Sequence, residues 1–247
     1  MSRFAFGFWR CAVVLAIAAV AGCTDPATRG GTYDPYEGGN RGTHAGNIRF
    51  DQNIARPLSQ GYGNGVAPEV RLVVNNFRSN FEEPSHALNA LLQGRIDNAV
   101  TSTGRFLINS TVGLLGLFDP ASDLGIDQKS TDFGETMFVW GVNEGAYVEL
   151  PVFGPHTTRH AVGRVVDVAL NPLNIFAPSP TGELSATSYV ASSLDFRYEL
   201  TNTIDGILYD SEDSYLTARN LYLQQRRAQL SGGPSDAELT DPFADLE

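Results

Sequence analysis

Lysine is almost absent from this 247-residue chain, in which Lys129 is the one lysine among 17 basic residues. The 28 acidic residues outnumber the basic ones and give a formal net charge of −11. Proteins that bind nucleic acid need a basic stripe to neutralise phosphates. The composition therefore predicts no nucleic-acid partner.

Cysteine is equally scarce, since Cys11 and Cys23 are the only two. We expect Cys11 to leave with an export signal and Cys23 to carry lipid. No thiol then remains for a disulfide, a metal ion or nucleophilic catalysis.

The start of the chain has the three parts of an export signal. Arg3 and Arg10 supply positive charge, and an uncharged run of small and apolar residues extends from Cys11 to Gly22. This run is shorter than the roughly 20 residues that a membrane-spanning helix needs. We therefore expect residues 1–22 to be a signal peptide.

The residues Val20-Ala21-Gly22-Cys23 have the form of a lipobox, in which the cysteine sulfur is acylated before cleavage. The alternative is an ordinary secretory signal with a chance cysteine. Thr24 follows the cysteine, where an aspartate would retain an enteric lipoprotein at the inner membrane. These residues predict an outer-membrane lipoprotein on the periplasmic side, anchored through Cys23.

Composition divides the rest of the chain into three parts. Residues 23–47 are rich in Gly, Pro and Thr and predict a lipidated tether, and residues 231–247 predict an acidic, disordered tail. Residues 48–230 between them predict one mainly helical domain.

Helix signals recur within this domain. Pro68-Glu69 suits a helix start, Glu82-Glu83-Pro84 predicts a break, and Gly94 suits the end of the helix that follows. Further helices are predicted from the Thr157-Thr158 cap and from about Ser211.

Residues 105–118 form a segment in which apolar side chains cover most of a helical wheel. A stripe of Asn109, Gly113 and Gly116 remains and suits close backbone packing. Such a helix is either a central core helix, which periodicity alone slightly favours, or a helix that contacts lipid in one leaflet. In the second case the contacting residues are Phe106, Leu107, Leu114, Leu115 and Phe118.

Residues 138–154 alternate aromatic residues with glycine and proline. Clustered glycines let a backbone bend sharply, and clustered aromatics suit a membrane boundary or a lipid-lined cavity. A hairpin or loop packed on the core is the alternative, and the pattern does not separate the two.

Searches for catalytic and metal-binding motifs fail. His156 and His160 are four residues apart, but Pro155 and Thr157 place His156 before the helix, so we predict no metal site. The segment 61–65 lacks dinucleotide-binding spacing and reads as a flexible loop. No nucleophile elbow occurs. We therefore predict no enzyme activity and no cofactor.

The middle of the chain resembles the MlaA (VacJ) lipoproteins from about Asp34 to Arg227. The motifs that carry the resemblance are Asp34-Pro35-Tyr36-Glu37-Gly38, Asn80-Phe81-Glu82-Glu83-Pro84, Asn89-Ala90-Leu91-Leu92-Gln93-Gly94, Arg105 to Thr111, Gly113 to Asp119, Asp132 to Thr136 and Leu150 to Pro155. The chain departs from the family at 141–147, where a glycine and a proline are missing, and at Arg159-His160, where the family has Arg-Asp.

The resemblance implies a mainly α-helical, ring-shaped single domain embedded in one membrane leaflet, with a short glycine-rich hairpin or loop. Such proteins associate with trimeric porins and pass mislocalised phospholipids from the outer leaflet to a periplasmic carrier of the Mla type. The residues expected at the lipid channel or its hinge are Gly141, Glu144, Gly145, Tyr147, Glu149 and Arg159.

Two other functions compete with lipid transport. A structural adaptor would tie porins together without conducting lipid. A lipid hydrolase would need a nucleophile motif, which the chain lacks.

Overall fold

The computed structural model describes residues 32–170 and 181–232, and their fold is mainly helical with one small sheet, as predicted. The signal peptide, Cys23 and most of the acidic tail lie outside the described residues. The helices are α1 (Glu37–Phe50), α2 (Arg56–Gly65), α3 (Pro68–Leu92), α4 (Ile96–Thr111), α5 (Pro120–Asp123), α6 (Phe133–Val139), α7 (Thr158–Leu170), α8 (Thr181–Glu199), α9 (Thr201–Asp205) and α10 (Ser214–Leu230). The strands are β1 (Tyr147–Leu150) and β2 (Gly154–Thr157).

Residues 37–65 form a continuous helical run, which corrects two expectations. The predicted tether of 23–47 is wrong for residues 37–47, and the predicted flexible loop at 61–65 is helical. Gly63 explains the second error, because a Cβ there would lie 2.2 Å from Cγ of Tyr198 on α8. Because Gly63 has no side chain, α2 and α8 can pack closely at this point.

A π-helical turn, Asp51–Ala55, joins α1 to α2. Pro57 follows it and cannot donate a backbone hydrogen bond, and its ring would meet the carbonyl of the preceding turn. The backbone widens ahead of the proline, so that the amide of Arg56 donates to the carbonyl of Asp51.

Helix α3 begins at Pro68, as predicted, but it continues through Pro84, where a break was expected. Neighbouring helices hold it on both sides of the proline: Glu83 binds Arg105 on α4, and Asn89 binds Asp167 on α7. These tertiary contacts override the local preference for a break. The helix ends before Gly94, whose φ of +74° suits a helix terminus.

Strands β1 and β2 form an antiparallel hairpin within the aromatic and glycine-rich stretch. Tyr147 pairs with Thr157, and Leu150 pairs with Gly154. Thr157 then caps α7, since its hydroxyl accepts from the amide of His160 at 3.3 Å. The predicted cap and the position of His156 before the helix are confirmed.

The described residues form two compact units, and the predicted domain bounds of 48–230 stay a prediction. The first unit ends at Thr201 and the second begins at Asn202. Within the second, α10 begins at Ser214, later than the predicted start near Ser211, because Asp213 caps it by accepting from the amide of Leu216. No helix in the described ranges is both long and apolar enough to cross a bilayer.

Candidate membrane surface and polar interior

A loop of residues 112–118 follows α4 and presents apolar side chains to the outside. The predicted helix over 105–118 is therefore wrong beyond Thr111. The exposed large side chains of this loop are Val112, Leu114, Leu115, Leu117 and Phe118. On α4 itself Leu107 is exposed and Phe106 is half-buried. A central core helix is excluded, because a core helix would bury these side chains.

The loop backbone adopts an unusual conformation. Leu114 and Leu115 have φ of +52° and +62°, and Gly116 has φ of +89°. The left-handed region is unfavourable for residues with a Cβ, so surrounding structure must hold it. The amide of Gly116 donates to the carbonyl of Asn109 at 2.8 Å. The amide of Phe118 donates to the carbonyl of Gly113 at 2.9 Å. The loop thus folds back onto the end of α4.

Asn109, Gly113 and Gly116 are all buried on the inner side of this loop. They are not a helical stripe, because the last two lie beyond the helix. A Cβ on Gly116 would lie 2.5 Å from Cβ of Asn80, and a Cβ on Gly113 would lie 2.4 Å from the carbonyl oxygen of Phe118. Close packing is therefore observed, but by a loop.

Arg105 lies beneath the loop in a buried polar cluster. Its Nε donates to Glu83 at 2.7 Å, and its Nη2 donates to Asp119 at 3.0 Å. Asp119 also accepts from the side-chain amide of Asn109 at 2.8 Å. The side chains of Arg105 and Glu83 are almost completely buried, at 2% and 0% exposed. We call Glu83, Arg105, Asn109 and Asp119 the Arg105 cluster.

Two pKa values in the Arg105 cluster show that its attractive contacts outweigh burial. Desolvation would lower the pKa of Arg105, but hydrogen bonds to Glu83 and Asp119 raise it. Desolvation would raise the pKa of Asp119, but hydrogen bonds from Ser122, Asn109 and Arg105 hold it below the ordinary 3.8. The charged forms are therefore favoured.

Most of the buried residues described in the first unit are polar or charged. Its fully buried apolar side chains are the small ones of Ala90, Ala99, Ala121 and Ala146, together with Tyr147. Large aliphatic side chains on its helices are instead exposed, including Leu72, Val100, Val165 and Val168. Ordinary water-facing domains show the reverse arrangement, so the outer surface of this unit suits an apolar environment.

A second buried cluster fastens the hairpin to α1. Glu149 accepts from the hydroxyl of Tyr147 and from Nδ2 of Asn47 at 3.3 Å, and Nδ1 of His44 lies 3.1 Å from it. The amide of Glu149 donates to Asn40 Oδ1 at 3.0 Å. We call Asn40, His44, Asn47, Tyr147 and Glu149 the Glu149 cluster. Sequence reasoning misses its α1 members, because the composition of residues 23–47 predicts a tether and not a helix.

The other expected channel residues lie in the turn between α6 and α7 and at the start of α7. Gly141 and Gly145 have φ of +83° and +75° and bracket a short turn. Arg159 is buried. Its Nη1 donates to the carbonyl of Val142 at 2.8 Å, and its backbone amide donates to the carbonyl of Glu144 at 3.2 Å. Arg159 therefore anchors this turn, and Glu144 is half-buried within it.

The Arg105 cluster was also missed as a unit, although Arg105, Glu83 and Asp119 each occur in the motifs quoted above. An arginine inside an apolar segment was the available signal. The structure shows no group of three or more His, Cys, Asp or Glu side chains that could hold a metal ion within its described ranges.

Comparison with known proteins settles the family. The MlaA lipoprotein family model matches residues 32–229. The chain belongs to this family. A solved chain described as "Structural basis for maintenance of bacterial outer membrane lipid asymmetry" is 30% identical and has a TM-score of 0.70, over 80% of this chain and 98% of that one.

Curated relatives agree with this assignment. An uncharacterized protein of Rickettsia felis is 35% identical over 80% of this chain and 78% of its own length. The intermembrane phospholipid transport system lipoprotein MlaA of Haemophilus influenzae is 30% identical over 74% of this chain and 73% of its length. That of Escherichia coli is 29% identical over 96% of this chain and 97% of its length.

Proposed function

We propose that this chain is an outer-membrane lipoprotein that removes mislocalised phospholipids from the outer leaflet and passes them to a periplasmic carrier. This retrograde transport maintains the lipid asymmetry of the outer membrane. The observation that carries the proposal is the inverted polarity of the first unit, in a chain whose relatives are named as phospholipid-transport lipoproteins.

The apolar loop is the proposed contact with the membrane. Its exposed leucines would be costly in water, whereas the acyl region of one leaflet accepts them. Leu107, Leu114, Leu115 and Phe118 are the residues that we assign to this contact, with Phe106 at its edge. The Arg105 cluster holds them in place from inside.

The turn between Gly141 and Gly145 is the proposed hinge of the lipid path. Both glycines have positive φ, which permits bending that other residues resist. Tyr147 and Glu149 are fixed to α1 and form the static side of this wall, and Arg159 anchors the turn. Glu144 lies within the moving part, at a position suited to a headgroup.

The proposed partners are phospholipids, a trimeric porin in the outer membrane and a periplasmic lipid carrier of the Mla type. The protein moves lipid between these partners without making or breaking a bond. It thus needs no catalytic group and no cofactor.

Deletion of the gene tests this function. We expect phospholipid to accumulate in the outer leaflet and sensitivity to detergent to rise, because retrograde transport stops. Surface labelling of phospholipid headgroups measures the first effect, and expression of the wild-type chain should reverse both. An adaptor without lipid conduction predicts normal surface phospholipid and no lipid co-purified with the protein.

Membrane association tests the proposed anchoring. A Cys23→Ser form exported by a non-lipoprotein signal should be released only partly from membranes, since the apolar loop still holds it. Adding Leu114→Asp and Leu115→Asp should release it further, because charge is costly in the acyl region. Complete release of the Cys23→Ser form would show that the lipid is the sole anchor.

A further inference from the structure

Two arginines from different helices contact the same tyrosine in the first unit. Nη2 of Arg164 on α7 donates to the hydroxyl of Tyr189 on α8 at 2.8 Å. The guanidinium carbon of Arg78 on α3 lies 5.0 Å from the centroid of the same ring. Two positive charges thus converge on one tyrosine, and this residue is 37% exposed.

Arg164 contacts an imidazole, a phenyl ring and a phenol. Its Nη1 lies 3.3 Å from Nε2 of His156, and its guanidinium carbon lies 5.1 Å from the centroid of the Phe153 ring. Nδ1 of His156 lies 3.1 Å from the carbonyl oxygen of Gly154, and the tautomer with its proton on Nδ1 would satisfy both contacts, since Nε2 could then accept from Arg164. No carboxylate of the described residues forms an ion pair with Arg164.

The nearby carboxylates are committed elsewhere. Asp167, one turn further along α7, accepts from the backbone amide of Phe133 at 3.1 Å and from Asn89 at 2.8 Å. Glu82 binds Arg78 at 2.7 Å, and both side chains of that pair are about one-third exposed. Among the described side chains, the site therefore has two guanidinium groups and one carboxylate, a local excess of positive charge in a strongly acidic chain.

Exposed apolar side chains adjoin these arginines. Phe153, beneath the guanidinium of Arg164, is 55% exposed. Val168, one turn after Arg164 on the same helix, is 69% exposed, and Val190 beside Tyr189 is 57% exposed. A cation without a carboxylate at the edge of an apolar surface matches a ligand with an anionic head and an apolar body.

We propose that Arg164, Arg78 and Tyr189 bind the phosphate of a glycerophospholipid, while Phe153, Val168 and Val190 contact its acyl chains. Guanidinium groups bind phosphate oxygens with two parallel hydrogen bonds. The Tyr189 hydroxyl accepts from Arg164 and retains its own proton to donate to the phosphate. This assignment rests on the proposed transport function, and it names a headgroup site within it.

Lipid binding by the full lipidated protein in detergent tests the site. The probes are labelled phosphatidylglycerol and diacylglycerol with the same acyl chains, which differ only in the phosphate-bearing headgroup. Wild-type protein should prefer phosphatidylglycerol, and Arg164→Gln should weaken its binding about tenfold, the change expected from one lost charged contact. Diacylglycerol binding should be unchanged by the substitution.

Three controls accompany this measurement. Arg49→Gln removes the same charge from an exposed position on α1 and should leave both affinities at the wild-type level. Arg164→Lys keeps the charge but not the paired donors, so it should retain part of the preference. Melting temperatures of all variants show whether the fold is intact.

The outcomes separate this assignment from the transport function. If wild-type protein binds neither lipid, the proposed function fails. If wild type prefers phosphatidylglycerol and folded Arg164→Gln shows the same preference, the site is overturned and transport stands. If Arg164→Gln abolishes binding of inorganic phosphate but leaves lipid preference intact, the site serves free phosphate, and its assignment to lipid is wrong.

Discussion

The loop at 112–118 and the hairpin at 147–157 are both held by a buried carboxylate, but they are held differently. Glu83 beneath the loop is bound by Arg105, which also binds Asp119. Glu149 beneath the hairpin meets a phenol, an amide and an imidazole. The hairpin also has its own backbone ladder, whereas the loop has residues with positive φ and an exposed apolar outside.

This difference shows how an outward-facing apolar loop can keep a defined shape. A loop whose leucines point outward gains little stability from packing them in its own interior, so its stability must come from its polar inner side. The Arg105 cluster supplies that stability. The predictions below compare the two regions, starting with the largest expected effect.

Replacing Arg105 with methionine should cost about 3–5 kcal/mol of stability, because Glu83 is left buried and without a cation. Thermal unfolding in detergent measures the loss. The matched control is Arg49→Met at an exposed position, which should change stability by no more than about 0.5 kcal/mol. Equal melting temperatures for the two variants would show that the Arg105 cluster does not hold the loop.

Gly116→Ala should cost about 3 kcal/mol, since it combines an unfavourable positive φ with a Cβ placed 2.5 Å from Asn80. Gly141→Ala near the hairpin is the control, because its φ is also positive but nothing lies within 4 Å of the added Cβ. It should cost about 1 kcal/mol. Chemical unfolding compares the two, and a cost for Gly116→Ala no larger than that of the control would contradict the packing described.

Tyr147→Phe should cost about 2 kcal/mol, because it removes a hydrogen bond to a buried carboxylate while the backbone ladder of the hairpin remains. Hydrogen exchange should show that the β1–β2 amides stay protected. Tyr36→Phe, at a side chain that is 56% exposed, is the control and should be neutral. Loss of protection throughout the hairpin would mean that the Glu149 cluster is as essential as the Arg105 cluster.

Acid should weaken the Arg105 cluster through Asp119. Its folded pKa lies below 3.8, so its contribution is complete above pH 3.8 and is lost as the pH falls through the folded value. Stability measured from neutral pH downward should therefore fall less steeply in Asp119→Asn.

Asp167 provides a control of opposite sign. Burial is the main cause that raises its pKa above 3.8, so its contribution is present below pH 3.8 and is lost as the pH rises through the folded value. Asp167→Asn should remove the loss of stability that accompanies this rise in pH. The same pH profile for both variants would contradict the two pKa shifts.

Local signals predicted the parts of the fold that depend on local chemistry. Pro68 begins a helix, Gly94 follows the end of that helix, and Thr157 caps α7. Tertiary contacts decided the rest. Pro84 stays inside α3 because Glu83 and Asn89 bind other helices, and 61–65 is helical because Gly63 meets Tyr198.

The candidate site was predicted in outline only. The helical-wheel pattern separated the leucines of 105–118, which are exposed, from Asn109, Gly113 and Gly116, which are buried. It did not predict that the helix ends at Thr111, because that end depends on Asp119 returning to Asn109 and Arg105. The contact of Glu149 with α1 spans 105 residues of sequence from His44, so no local pattern could reveal it.

Transfer of phospholipid out of the outer leaflet tests the central claim most directly. A labelled phospholipid is placed in the outer leaflet of cells that lack or express the chain, and its arrival in the periplasmic carrier is followed over time. We expect the label to stay at the surface without the chain and to reach the carrier when the chain is expressed. Equal rates of arrival in both cells would contradict the account.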